Sequence, residues 1–220
     1  IPILFGIHHL YEWSHGAVVA QDHLLLKKAP YLNLPFFLIR AGFYFSVWYL
    51  LARTFFNRSV AQDTSGDETL TLKSQTTSTF GVLLFALTLT FAVIDWVMSL
   101  TPHWYSTMFG VYMFAGAIIS ALAATILIIF ILKTMGFLTH VIRTDHIHDL
   151  GKLMYGFNIF WTYIAFSQYF LIWYANIPEE TIWFMDHFKG SWNTVGIVLA
   201  VGHFIIQFFA FMSRHAKRNL

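Results

Sequence analysis

The sequence predicts an all-α polytopic membrane protein with about five complete transmembrane helices. Three observations carry that class. Of 220 residues, 57% are hydrophobic and only 11% charged, where a soluble domain carries about 25% charged residues. The mean hydropathy is +0.61. The apolar residues fall in runs long enough to cross a bilayer, which takes about 20 residues, and the basic residues sit at the ends of those runs. Because the net charge is only +2, the pI of 8.8 does not argue for nucleic acid as a partner. Membrane topology explains the lysines and arginines. The chain has no cysteine. This excludes Cys-ligated iron–sulfur clusters, covalently attached c-type haem and disulfides.

Residues 1–32 open on the apolar run IPILFGI and continue HHLYEWSHGAVVAQDHLLLKKAPYLN. As one helix they would place His8, Glu12, His15 and Asp22 on one face. Glu12-x-x-His15 matches the Glu-x-x-His element of di-iron bundles. Such a site needs a second copy and further carboxylates, so a polar helix face is the better reading. The chain starts at Ile1-Pro2 without methionine and stops just beyond an apolar run, so we expect an internal piece of a longer protein.

The first complete span is 34–52. Arg40, Tyr44 and Trp48 follow one another at i+4 and share a face, so Arg40 should turn toward protein and away from lipid. Residues 1–53 thus read as an outer segment and a first membrane helix. Residues 54–75 are rich in Ser, Thr, Asp and Gly. They read as a solvated cytoplasmic linker between two bundles. Residues 76–220 hold the four remaining spans and end in a basic tail.

The second span, 76–100, holds Asp95 near its far end. Pro102 stops the helix, and His103, Trp104 and Tyr105 follow at the membrane surface. A carboxylate inside a membrane helix costs about 3 kcal/mol on insertion scales, which marks Asp95 as a functional candidate. The alternative is a buried structural ion pair. The third span, 108–132, carries Gly116, Ser120 and Ala124 at fourfold spacing, a pattern that permits close helix contact in lipid. In the connector RTDHIHDLGK, 143–152, Asp145, His146, His148 and Asp149 suggest a metal site. The His-x-His spacing is short, and a solvated, proton-accepting loop is the better reading. The fourth span, 153–174, is loaded with Asn158, Thr162, Tyr163, Ser167 and Gln168. An acidic, aromatic loop follows over 176–190, with Trp183 and Phe184 in the interface. The fifth span, 191–212, holds His203 and Gln207 one turn apart near its middle.

Alternating the connectors gives one side Arg53, Arg58, Lys73, Lys133, Arg143, Lys152, Arg214, Lys217 and Arg218, and the other Lys27, Lys28 and Lys189. That split places the C-terminus in the cytoplasm. Asp95 then lies ~7 Å from the outer end of its span, Arg40 ~9 Å and His203 ~18 Å, at the helical rise. Arg40 is the candidate ion-pair partner of Asp95. Asp95, His203, Gln207, Asn158, Ser167, Gln168 and His103 sample the membrane depth and are candidates for a proton path. The alternative is interhelical hydrogen bonding, worth roughly 0.6 kcal/mol each. A b-type haem would need two facing histidines, and only His203 lies well inside a span.

The stretches 95–116, DWVMSLTPHWYSTMFGVYMFAG, and 148–181, HDLGKLMYGFNIFWTYIAFSQYFLIWYANIPEET, resemble the ActF-type membrane subunit of bacterial alternative complex III. APYLNLPFFLIRAGFYF, residues 29–45, matches as well. This subunit is of the polysulfide-reductase-like, NrfD-type family. The resemblance covers nearly the whole chain. It implies two four-helix bundles with flanking helices, of which this chain holds the second and the last helix of the first. It also implies a quinol:electron-acceptor (cytochrome c) oxidoreductase in the bacterial inner membrane. Partners would be a sister NrfD-like subunit, an iron–sulfur subunit, c-type haem subunits and lipid. No cofactor is expected on this chain itself, although quinone or quinol is possible. Haem c and iron–sulfur clusters are expected in the partner subunits. The implied contribution is proton conduction, structural support to quinol oxidation, or both. The competing readings are a secondary transporter or channel subunit and a purely structural membrane anchor. Transporters often show broken helices and inverted repeats; no span here is broken by Gly or Pro and no repeat is evident.

Overall fold

A computed structural model describes residues 2–138, 141–215 and 217. Ile1, Arg218 and Leu220, which entered the sequence reading, lie outside the described residues. Among the described residues there are helices and turns and no strand. The long helices are α1 (Leu34–Ser65), α2 (Thr69–Trp96), α3 (Phe109–Thr134) and α4 (Thr144–Ala175). A shorter α5 (Pro178–His187) and then α6 (Ser191–Met212) follow. The helices Leu34–Ser65, Thr69–Leu100, Phe109–Thr134 and Ser191–Met212 are each long and apolar enough to cross a membrane. The chain is an all-α, multi-pass membrane protein. It forms two compact units, residues 1–105 and 106–220.

The first unit is built on the α1/α2 hairpin. Asn33 starts α1 by accepting the Phe36 amide at 3.0 Å, and Pro35 sits in the first turn, where its missing N–H costs nothing. The helix does not stop at the membrane end of the apolar run. It continues through residues 54–65 and ends at Gly66, whose φ of 65° suits the left-handed cap. Asp67 then accepts the Thr69 amide at 2.9 Å and α2 begins. The loop expected over 54–75 is therefore two helix ends and one tight turn. Polar side chains make a helix water-soluble without breaking it, and Gly66 is the one real stop signal.

Four polar contacts hold the hairpin in a single antiparallel register. Arg40 meets Asp95 and Trp48 Nε1 donates to Thr88 Oγ1 at 3.0 Å. Further along, Arg58 reaches Thr77 Oγ1 at 2.6 Å and Gln62 Nε2 reaches Thr71 Oγ1 at 2.8 Å. Lipid supplies no hydrophobic drive for helix association, so such bonds and close packing must supply it.

Residues 1–32 do not form the single helix that the His8/Glu12/His15/Asp22 spacing predicts. They break into short helical pieces, with Tyr11, His15 and Asp22 extended between them. The cause is the buried cluster of Ile7, Tyr11, Trp13, Leu25, Leu32 and Phe37. One straight helix would set Ile7 and Leu32 ~38 Å apart along its axis, so a cluster that holds both requires the segment to fold back.

In the second unit, α3 and α4 form an antiparallel hairpin. Tyr112 packs on Trp161 with ring centroids 5.1 Å apart, and Ala115, Ile119, Met154 and Trp161 share one core. At one end Ser106 bonds Gln168; at the other, Ile147 lines one pocket with Ile126, Phe130 and Thr134. α4, 32 residues long, packs along α3, but its polar load keeps it out of the four described helices that are long and apolar enough to cross a membrane, so four of the five expected spans are found by length and composition.

Two predicted loops here are also helical. Residues 144–152 are the first turns of α4, and most of 176–190 is α5. Asn176, at φ 50°, ends α4, and Pro178 with Glu179 and Glu180 opens α5, a favourable start for a helix dipole. The small-residue stripe on α3 is only partly used. Gly116 faces Trp161, while Ser120 and Ala124 are exposed and the buried positions are Ala115 and Ile119.

Candidate functional site

Asp95 is fully buried, and α1 brings it three donors. Arg40 grips it with two parallel bonds, Nε to Oδ2 at 2.7 Å and Nη2 to Oδ1 at 2.9 Å. Tyr44, one turn beyond Arg40, donates its hydroxyl to Oδ2 at 2.9 Å. The third guanidinium nitrogen, Nη1, donates to the Tyr31 carbonyl at 2.9 Å, and the Tyr31 and Phe36 rings flank the cation at 3.9 and 4.3 Å. Ser99 closes the far side by bonding the Asp95 carbonyl. The planar fork matches a carboxylate bidentately, and each guanidinium nitrogen has a partner.

Chemically this is a neutral, closed ion pair. Proton exchange at Asp95 would require Arg40 and Tyr44 to let go. Its charge is nevertheless felt in the outer segment. Burial, and then the negative charge of Asp95, push the Tyr11 and Tyr31 hydroxyls up to about 12. Tyr11 also donates to the Trp96 carbonyl at 2.9 Å and ties the outer segment to the end of α2.

His103 stands with Asp22 and not with Asp95. His103 Nε2 and Asp22 Oδ2 are 2.5 Å apart, while Asp22 Oδ1 caps the helix His23–Lys28 through the Leu24 and Leu25 amides at 2.8 and 3.2 Å. The bond to His103, and then the backbone bonds, hold the Asp22 carboxyl below its usual range. Lys28 donates to the Pro102 carbonyl at 2.5 Å, and burial lowers its pKa. Sequence reasoning missed these roles of Asp22 and Lys28. The pairing spans 81 residues and leaves no local signal. The role of Tyr44 was within reach, since it stands one turn from Arg40 on the face already singled out.

The other candidates lie in the second unit. Asn158 is fully buried in α4, and neither its Nδ2 nor its Oδ1 has a hydrogen-bond partner. Gln207 Oε1 is likewise buried and unpartnered. His203 sits edge-on to Trp161 at 4.5 Å, and Tyr155 pairs with Phe208 at 5.7 Å. The antiparallel register puts Asn158 and Gln207 at one level between those two ring pairs. The backbone around His203 widens into i→i+5 turns over Leu199–Ile206, a geometry frequent at functional sites. Gln168 accepts from Ser106 at 2.7 Å, with half-buried Ser167 beside it.

An unpartnered buried amide atom costs ~1–3 kcal/mol, which a bound water or ligand would relieve. Nearby, an apolar cavity of about 700 Å³ is lined by Tyr112, Trp161, Thr162, Phe184, Phe188 and Phe204, among others.

Among the described residues no three His, Asp or Glu side chains converge on a common point. The Glu12-x-x-His15 pair does not share a helix, because His15 is the extended residue after Glu12–Ser14. At the start of α4, Asp149 pairs with Lys152 at 2.7 Å in solvent.

The chain matches no protein-family model, and no curated protein matches it either. The class defined by fold and site is a multi-pass helical membrane protein with a buried ion-pair clamp in one unit and unpartnered buried amides in the other.

Proposed function

We propose that the chain is an integral membrane subunit of a quinol:electron-acceptor oxidoreductase in a bacterial inner membrane, with its C-terminus in the cytoplasm. In this reading it resembles the ActF-type subunit of alternative complex III. The long motifs at 29–45, 95–116 and 148–181 support the reading, as does the helical multi-pass fold. With no cysteine on this chain, iron–sulfur clusters and covalently bound haem c belong to partner subunits, and the sister NrfD-like subunit packs in the same membrane.

Within that assembly the two units divide the work. The Arg40–Asp95–Tyr44 clamp gives structural support, because both carboxylate oxygens are already occupied. Proton handling falls to Asn158, His203 and Gln207. The observation that carries it is the buried, unpartnered Asn158 amide together with the unpartnered Gln207 Oε1, one turn from His203, which a structural anchor in lipid would not retain. A quinol or lipid tail fits the aromatic cavity, whose size lies within the range of ligand pockets.

The test is to purify the native complex from its membrane. A c-type haem spectrum, iron on partner subunits and quinol oxidation with an added electron acceptor are the expected results. A purified assembly without haem and without quinol activity would end the proposal. Within an active complex, Asn158→Leu combined with Gln207→Leu should preserve assembly, since removing unpaired polar atoms is not destabilising, and should slow proton release.

A further inference from the structure

The outer segment and the turn after α2 enclose a second cavity in the first unit, of about 330 Å³. Its walls differ in character from top to bottom. Leu32 and Trp104 are buried in its floor, and Ile94 and Met98 are half-buried beside them. Lys27 and Lys28 stand at its rim. Lys28 is anchored by the Pro102 carbonyl and lies 5.8 Å from the Tyr105 ring centroid. Lys27 is exposed and has no hydrogen bond or ion pair among the described residues. Asp22, whose charge also acts on Lys28, is engaged by His103 and by the helix amides.

The cavity lies at the Leu100 end of a helix long and apolar enough to cross a membrane. Trp104 and Tyr105 are residue types that favour the membrane–water interface. Two cations above an apolar floor match a molecule that is anionic at one end and hydrocarbon at the other. We propose that this cavity is a binding site for an anionic phospholipid, with its phosphate at Lys27 and Lys28 and the top of an acyl chain over Leu32, Ile94 and Met98. A free phosphate would satisfy the lysines and leave the apolar floor in water. The lipid satisfies both.

The protein is purified in its native assembly in neutral detergent, exchanged with equal amounts of phosphatidylglycerol and phosphatidylcholine, and the retained lipid counted by native mass spectrometry. Phosphatidylglycerol should be retained in preference, by roughly fivefold for each lysine engaged. Lys27→Gln should reduce that preference and Lys27→Gln with Lys28→Gln should abolish it. Lys189→Gln, at an exposed lysine paired with Asp186, should leave it unchanged. Equal retention of the two lipids overturns the proposal. So does displacement of the lipid by inorganic phosphate, which would make this a simple anion site. Lys28 also holds the Pro102 turn, so if the double variant does not fold, Lys27→Glu decides alone. Undiminished phosphatidylglycerol retention in that variant overturns the site.

Discussion

At the residue scale, Asp95 and Arg40 are worth more together than either alone. Removing one partner of a buried pair costs roughly 3–5 kcal/mol, because the other charge is stranded. Asp95→Asn should therefore lower the yield and thermal midpoint of the assembled protein, and adding Arg40→Gln should restore most of both. If Asp95→Asn instead assembles normally and only slows turnover, the clamp is a proton site and the structural assignment fails. Asp22 yields a pH prediction. Its folded carboxyl is held below the ordinary value, so its contribution is complete above the ordinary carboxylate range and is lost as pH falls through the lowered value. The protection of the Leu24 and Leu25 amides, which Asp22 caps, relative to their intrinsic exchange should fall below about pH 4, an ordinary aspartate value. A protection factor there that does not change between pH 6 and pH 3 would rule out the cap.

At the element scale, three glycines separate backbone need from packing need. Gly66 has φ 65°, and Gly66→Ala should destabilise the α1/α2 turn by about 1 kcal/mol. In α3 a Cβ at Gly116 would meet Trp161 Nε1 at 3.6 Å, ordinary contact distance. Gly116→Ala should thus stabilise by about 0.5–1 kcal/mol through lost chain entropy. At Gly81 a Cβ would come within 3.3 Å of Leu51 Cδ2, so Gly81→Ala should be near neutral, the entropic gain being offset by displacement of Leu51. Thermal melts of the three variants in one detergent should rank Gly116→Ala highest and Gly66→Ala lowest. Any other order at the extremes would show that the helix contacts are drawn incorrectly.

At the scale of the whole molecule, the basic residues bias the connectors nine to three. A reporter fused after Leu220 should be cytoplasmic, and one placed in α5 should face outward. The opposite pattern would overturn both the orientation and the assignment of the Lys27/Lys28 cavity to the outer headgroup layer. It would leave the clamp geometry untouched, because that depends only on the α1/α2 register. The sequence resemblance and the proposed oxidoreductase role are likewise separable from the fold, which follows from apolar length and helix pairing.

The sequence by itself determined the class, four of the five expected spans and the suspicion that a membrane arginine and a membrane carboxylate each need a partner. Those follow from bilayer thickness and desolvation cost, which act on each residue wherever its neighbours lie. It also carried the shared face of Arg40, Tyr44 and Trp48, since helical periodicity is local. Only the tertiary structure decided that His103 belongs to Asp22, that the Asn158 side-chain amide and Gln207 Oε1 meet no partner among the described residues, and that residues 2–32 fold back as short helical pieces. Each of these depends on contacts between residues far apart in sequence or on their absence. The helical ends misread as loops at 54–75, 144–152 and 176–190 have a related cause. Polarity reports where a segment meets water, and helix stops depend on particular backbone positions such as Gly66 and Asn176.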